Sequence, residues 1–139
     1  MLENEKIILR APELHDLELL FKWENDQRIW HLSQTLIPFS RFDIEQFILQ
    51  GNHDIYMEKQ FRFMITSKED KSLLGCIDLF DFDPHNSRVG IGILIDEKHR
   101  QKGWASEALD VLIHYSFNQL KVHQLYCNVL SSNTESLNL

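Results

Sequence analysis

Apolar residues recur at two periods along the chain, and the switches between them mark its elements. Phe61, Phe63 and Ile65 alternate with their neighbours, as do Val89, Ile91, Ile93 and Ile95, which is the period of a strand. Leu17, Leu20 and Phe21 follow helical spacing, and so do Ile44, Phe47 and Ile48. The longest such stripe, Ala105, Ala108, Leu109, Leu112, Ile113 and Ser116, predicts a helix over about 103–120 with one buried face.

Polar punctuation sets the boundaries. Ile7 to Ala11 reads as a first strand, and Asp16 as the cap of a helix through Asn25. Ser40-x-x-Asp43 has the form of a capping box and predicts a second helix over roughly 41–51. Between them, Ile29 to Pro38 reads as a flap or short turn over a cleft. SKEDKS turns the Phe61 strand into one from Leu73 to Phe82, and DPHNS closes the next hairpin. A last strand runs from Gln124 to Leu130, with Leu125, Cys127 and Val129 on one side. Ser132 and Glu135 then form another capping pattern with few residues left before Leu139. The order is β-α-α-β-β-β-α-β-(α), an α/β chain that is expected to stop inside an element.

No repeat or low-complexity linker interrupts this order. At 139 residues, 43% apolar and 25% charged, the chain suits one domain with a real core, residues 1–139. A net charge of -7 argues against a general nucleic-acid binder; it suits a cationic substrate, and equally plain solubility. Cys76 and Cys127 lack CxxC spacing and sit in apolar stretches, so they read as reduced core residues. There is no signal-peptide pattern and no apolar run of bilayer length, so no membrane is expected and the cytoplasm is the default.

The candidate chemistry lies in Arg88 to Ala105, where an apolar strand runs into a basic, glycine-punctuated turn that opens a helix. Helix N-termini present unpaired N–H groups to anions. Gly103 lets a phosphate approach the backbone, amides from Gln101 to Ser106 point outward, and Arg100 and Lys102 add charge. The competing reading is a simple helix start with solvated cations. A Walker loop is absent, and Gly90 and Gly92 lie inside a strand pattern, where they mark a bulge or a close backbone approach. The seven His form no metal-ligand spacing, so no metal is expected; Ser116 and Ser136 lack a hydrolase context. Of Trp23, Trp30 and Phe42, Trp30 is singled out as an amine contact through its ring face.

The spacing Arg100-x-x-Gly103-x-Ala105, with the strand before it and Asn133-x-x-Ser136 after the next strand, resembles the coenzyme A loop of the GNAT superfamily of N-acetyltransferases. The opening LRAPELHDLELLFKWEND and the strand LLGCIDLFDF are similar to the spermidine and ribosomal-protein N-acetyltransferase branch. The resemblance implies a mixed central sheet with helices on both faces, lacking its last helix and strands here. It implies acetyl-CoA as co-substrate, held by Arg100, Gln101, Lys102, Gly103, Trp104, Ala105 and Ser106, by Asn133 and Ser136, and by main-chain groups of Ile93, Leu94 and Ile95. Leu94 N–H is the candidate to polarise the thioester carbonyl. Asp78 and Asp81 match acidic positions of the spermidine enzymes and are candidate bases or amine anchors, against the alternative of ordinary edge carboxylates.

Two departures are visible. Many relatives have Glu where this chain has Gly90, and the family's tyrosine acid would fall immediately after Leu139. The implied function is direct acetyl transfer to a primary amine: a polyamine, another small-molecule amine or a protein N-terminus. The alternative is a non-catalytic acyl-CoA-binding or partner-binding member. A homo-oligomer is a further expectation, since losing the last strands would leave an open sheet edge.

Overall fold

The computed structural model describes residues 2–26, 38–50 and 59–126. These fall into two compact units, one built from 2–11 and 59–126 and one from 12–26 and 38–50.

The first unit is a sheet with one long helix. Its strands are β1 (Leu2–Glu3), β2 (Ile7–Arg10), β3 (Phe61–Ser67), β4 (Leu73–Asp83), β5 (Arg88–Ile95) and β6 (Gln124–Tyr126). They lie in sequence order, antiparallel up to β5, with β6 parallel to β5. A parallel neighbour needs a crossover, and helix α3 (Trp104–Asn118) supplies it. Ile7, Leu9, Phe63, Ile65, Ile77, Leu79, Val89 and Ile91 share one core with Ala108, Val111 and Leu112 of α3. The strand alternation and most of the helical stripe read from the sequence meet in this core, but Ile113 of that stripe is exposed and Val111, outside it, is buried.

β1 was not expected. Asn4 makes it: its side chain accepts from the Lys6 and Ile7 N–H groups at 2.8 and 2.9 Å and closes a tight turn into β2. β6 is described for three residues, and the expected continuation to Leu130, with the helix start at Ser132, lies outside the described residues.

The second unit holds α1 (Leu17–Glu24) and α2 (Arg41–Leu49). Ser40 Oγ accepts from Asp43 N–H at 2.9 Å, and Asp43 accepts from Ser40 N–H at 3.1 Å, so the capping box forms as read. Asp16 does not cap α1. It lies within a 3₁₀ turn, Leu14–Asp16, and its buried carboxylate accepts from Glu13 N–H at 2.8 Å, so the helical path starts a turn earlier. Asn25 joins the two ends of this unit, donating to the Phe39 carbonyl at 2.9 Å and accepting from Phe39 N–H at 2.7 Å.

Candidate functional site

β5 ends at Ile95 and reaches α3 through a second 3₁₀ turn, Glu97–His99, and a basic tripeptide. Arg100 is extended, and its Nε–H donates to the Ile95 carbonyl at 3.0 Å, tying the turn to the strand end. Gln101 and Gly103 both take the left-handed conformation, with φ of 61° and 83°. Gly103 is the N-cap of α3, so no side chain caps the helix there. A Cβ at Gly103 would meet nothing within 4 Å. Conformation, not crowding, requires the glycine, and the open space leaves the first-turn amides of Trp104, Ala105 and Ser106 approachable. Lys102 stands exposed beside them, and the helix dipole adds positive potential.

Asn4 and Lys6 belong to this surroundings and were missed in the sequence. Glu107, in the first turn of α3, accepts from Asn4 Nδ2 at 2.8 Å and pairs with Lys6 at 3.5 Å. Its charge is thereby partly offset beside a site suited to anions. Only the β2–α3 packing could have revealed this.

The direction of each β5 amide follows from the ladder. Asp96 N–H donates to the Leu74 carbonyl at 2.8 Å, so this residue faces β4. On the other edge the Ser87 carbonyl accepts from the N–H groups of His123 and Gln124. Successive residues of an antiparallel strand face opposite edges. Leu94, opposite Cys76, therefore turns its N–H and carbonyl to β4, and Ile93 and Ile95 turn theirs away. The close approach of the Leu94 carbonyl to Gly75 agrees with this phase. The amides suited to a ligand on the outer edge are those of Ile93 and Ile95, not that of Leu94. Among the described residues, β6 pairs with β5 only from Arg88 to Gly90, short of both.

The sheet face turned away from α3 carries the remaining candidates. Asp78 lies between Arg62 and Gly92 across the strands, and both its oxygens accept from Arg62, each at 2.8 Å. Neither partner is fully buried, with 31% and 19% of the side chains exposed. Strict alternation would put Asp81 on the opposite face from Asp78. A bulge between Phe80 and Asp83 intervenes, holding Asp81 at φ 49° and exposed while Phe82 returns to the core. Burial first, then the nearby Asp81 charge, pushes the Tyr126 phenol above its ordinary value. Arg62 and Tyr126 are invisible as site residues without the strand register.

Trp30, Asn133 and Ser136 lie outside the described residues. Among the described residues, no group of three or more His, Cys, Asp or Glu could hold a metal ion, and no helix is long and apolar enough to cross a membrane.

The sequence profile of the acetyltransferase (GNAT) domain matches residues 6–139. A protein of Bacillus licheniformis named uncharacterized N-acetyltransferase p20 is 31% identical over 139 residues, covering 99% of this chain and 78% of its own length. Spermidine N(1)-acetyltransferase of Vibrio cholerae is 26% identical over 98% of this chain and 76% of its own. The crystal structure of spermidine N-acetyltransferase from Vibrio cholerae in complex with CoA and spermine superposes with a TM-score of 0.83 at 24% identity, over 97% of this chain and 78% of that one. The likeness in structure establishes the shared fold.

Proposed function

Since the chain belongs to the GNAT acetyltransferase family, we propose that it is an acetyl-CoA-dependent N-acetyltransferase acting on a primary amine. One observation carries the reading: the uncapped start of α3 at left-handed Gly103 follows, through one tied turn, a strand whose Ile93 and Ile95 amides turn to its outer edge. These residues suit coenzyme A. Trp104, Ala105 and Ser106 N–H groups, with Lys102, would hold the pyrophosphate, Arg100 would brace the turn, and Ile93 and Ile95 would take the pantetheine arm and acyl carbonyl. Gln101 contributes its backbone to the same loop; Asn133 and Ser136 are assigned by the family pattern.

The bound co-substrate supplies a thioester, an acetyl group already activated toward amines. In the transfer, an N–C bond forms and the C–S bond breaks; the sulfur takes the electron pair and a proton, and the amine gives its surplus proton to solvent. Ile93 N–H would stabilise charge on the acyl oxygen. An alkylammonium has a pKa near ~10, so the acceptor arrives as a cation. Asp78, charge-paired by Arg62, and Asp81, at the exposed bulge, are anchors for that cation, with Trp30 as an aromatic contact.

Polyamines lead the acceptor order, supported by the spermidine enzyme among the relatives. Other small amines and protein N-termini follow. The family match spans both units, which supports residues 1–139 as one acetyltransferase domain. A cytoplasmic homo-oligomer without nucleic-acid partners completes the reading. Two observations favour a second reading, a non-catalytic acyl-CoA binder: Gly90 offers no side chain, and Asp78 is already engaged by Arg62.

The test is calorimetric titration of acetyl-CoA, followed by an assay of thiol release with spermidine, other diamines and an N-terminal peptide. Binding with turnover supports the enzyme, and binding without turnover selects the second reading. Absence of binding overturns both.

A further inference from the structure

Phe80, Gly90 and Tyr126 form one row across β4, β5 and β6. A Cβ at Gly90 would fall 2.4, 2.6 and 2.8 Å from three atoms of the Phe80 ring, and one at Gly92 would fall 3.6 Å from a fourth. The ring therefore lies flat over the β5 backbone, in space that any side chain at residue 90 would occupy. Tyr126 stands against it edge to face, with centroids 5.9 Å apart and planes at 88°. A glycine floor, an aromatic wall and a bulged β4 at its back fix the ring in place, although it is only half-buried.

This position matters because of what comes next along β5. Gly92 is followed by Ile93, whose amide turns to the outer edge, and one strand residue advances about 3.4 Å. We infer that the Phe80 ring limits the length of the acyl group this protein accepts, admitting acetyl and rejecting longer chains. The inference rests on the acetyl-CoA reading above. It concerns the donor and not the acceptor, because the ring covers the strand that would hold the thioester while the carboxylates Asp78 and Asp81 lie to either side of it in sequence. Gly90 then has a reason beyond strand geometry: it leaves room for the ring, whereas a Cβ at Gly92 would only touch it.

The experiment compares acetyl-, butyryl- and hexanoyl-CoA on the full chain, Phe80→Leu and Phe80→Ala, reading affinity by calorimetry and turnover with one amine. Phe80→Ala should raise the butyryl-to-acetyl affinity ratio about 10-fold or more, the discrimination that a methylene or two commands in an apolar site. Phe80→Leu, which keeps most of the volume and guards against a folding failure, should move the ratio part of the way. Gly90→Ala should shift the ratio in the natural chain, by displacing the ring, and should not shift it in the Phe80→Ala background. An unchanged ratio in a variant that is folded by circular dichroism and still binds acetyl-CoA overturns the inference and leaves the acetyltransferase reading standing. Failure of every acyl-CoA to bind the natural chain overturns both.

Discussion

The Arg62 guanidinium grips the Asp78 carboxylate through two parallel bonds of 2.8 Å on the sheet face turned away from α3. Planar fork meets planar carboxylate, the geometry in which Arg is strongest. The pair stitches β3 to β4 at a cross-strand position and offsets two opposite charges on that face. Asp78→Asn leaves the shape and removes the charge. It should cost about 1–3 kcal/mol in urea unfolding, because Arg62 loses its counter-charge in a half-buried setting. With a cationic amine, KM should rise more than kcat falls; a fall in kcat alone would make Asp78 a proton acceptor instead of an anchor.

Gly75 separates packing from conformation. A Cβ there would come 2.9 Å from the Ile95 Cα and closer still to the Leu94 carbonyl, both main-chain atoms that cannot swing aside. Gly75→Ala should therefore force β4 and β5 apart and cost at least about 1–3 kcal/mol, the usual penalty of overpacking. Thermal unfolding measures it, and a variant as stable as the natural chain would contradict the close approach.

The two left-handed residues of the α3 loop make opposite expectations. Gln101 at φ 61° carries a side chain where glycine is preferred, so Gln101→Gly should stabilise the chain by up to about 1 kcal/mol. Gly103→Ala should destabilise by a similar ~1 kcal/mol although its Cβ meets nothing. It should also weaken acetyl-CoA binding, since the methyl group would stand where phosphate approaches. Melting curves and calorimetry on the two variants check both.

Tyr126 shapes the alkaline limb of stability. Its folded pKa is raised, by burial first and then by the Asp81 charge. The folded state thus holds the phenolic proton more tightly, so this contribution is intact below the unfolded value near ~10 and is lost as pH climbs through the raised folded value. Tyr126→Phe should fall less steeply above pH ~10 in melting experiments. Parallel curves would remove the burial and the carboxylate as causes.

The acid limb runs the other way. Asn86 donates to both Asp83 oxygens, from Nδ2 at 2.7 Å and from its backbone at 3.0 Å, and these bonds, with the Arg88 charge, lower the Asp83 pKa. Glu18 is lowered chiefly by the hydrogen bond from Arg41, and Asp70 by the Ser72 N–H. Stability from these carboxylates is present above their unfolded values near ~4 and fades as pH falls through the lowered folded ones. Asn86→Ala should flatten the acid limb slightly in a pH series of melting temperatures.

Much of this was legible before any coordinates. The capping box of Ser40 and Asp43, the stripe of α3, the alternation of β5 and the glycine at the head of the crossover helix are local facts. They depend on the rotation per residue and on which side chains suit a helix end. The family resemblance rested on the same local spacing, Arg100-x-x-Gly103-x-Ala105. Errors came where one residue of phase mattered. The entry into α1 slid back from Asp16 to Glu13 because a 3₁₀ turn precedes the helix. The outward amides belong to Ile93 and Ile95 and not to Leu94, because hydrogen-bond direction alternates and the ladder with β4 sets its phase.

Arg62 against Asp78, Phe80 over Gly90 and Tyr126 beside Asp81 join residues from different strands. Their meeting depends on register, and register on bulges such as the one after Phe80, where a single left-handed residue, Asp81, moves everything beyond it to the other face. Spacing along the chain carries the elements and the glycine turn that opens α3, since these answer to neighbours in sequence. Which charges are neutralised, which amides face the outer edge of β5 and which ring lies over Gly90 are matters of pairing between distant strands, and pairing is decided only when the sheet is assembled.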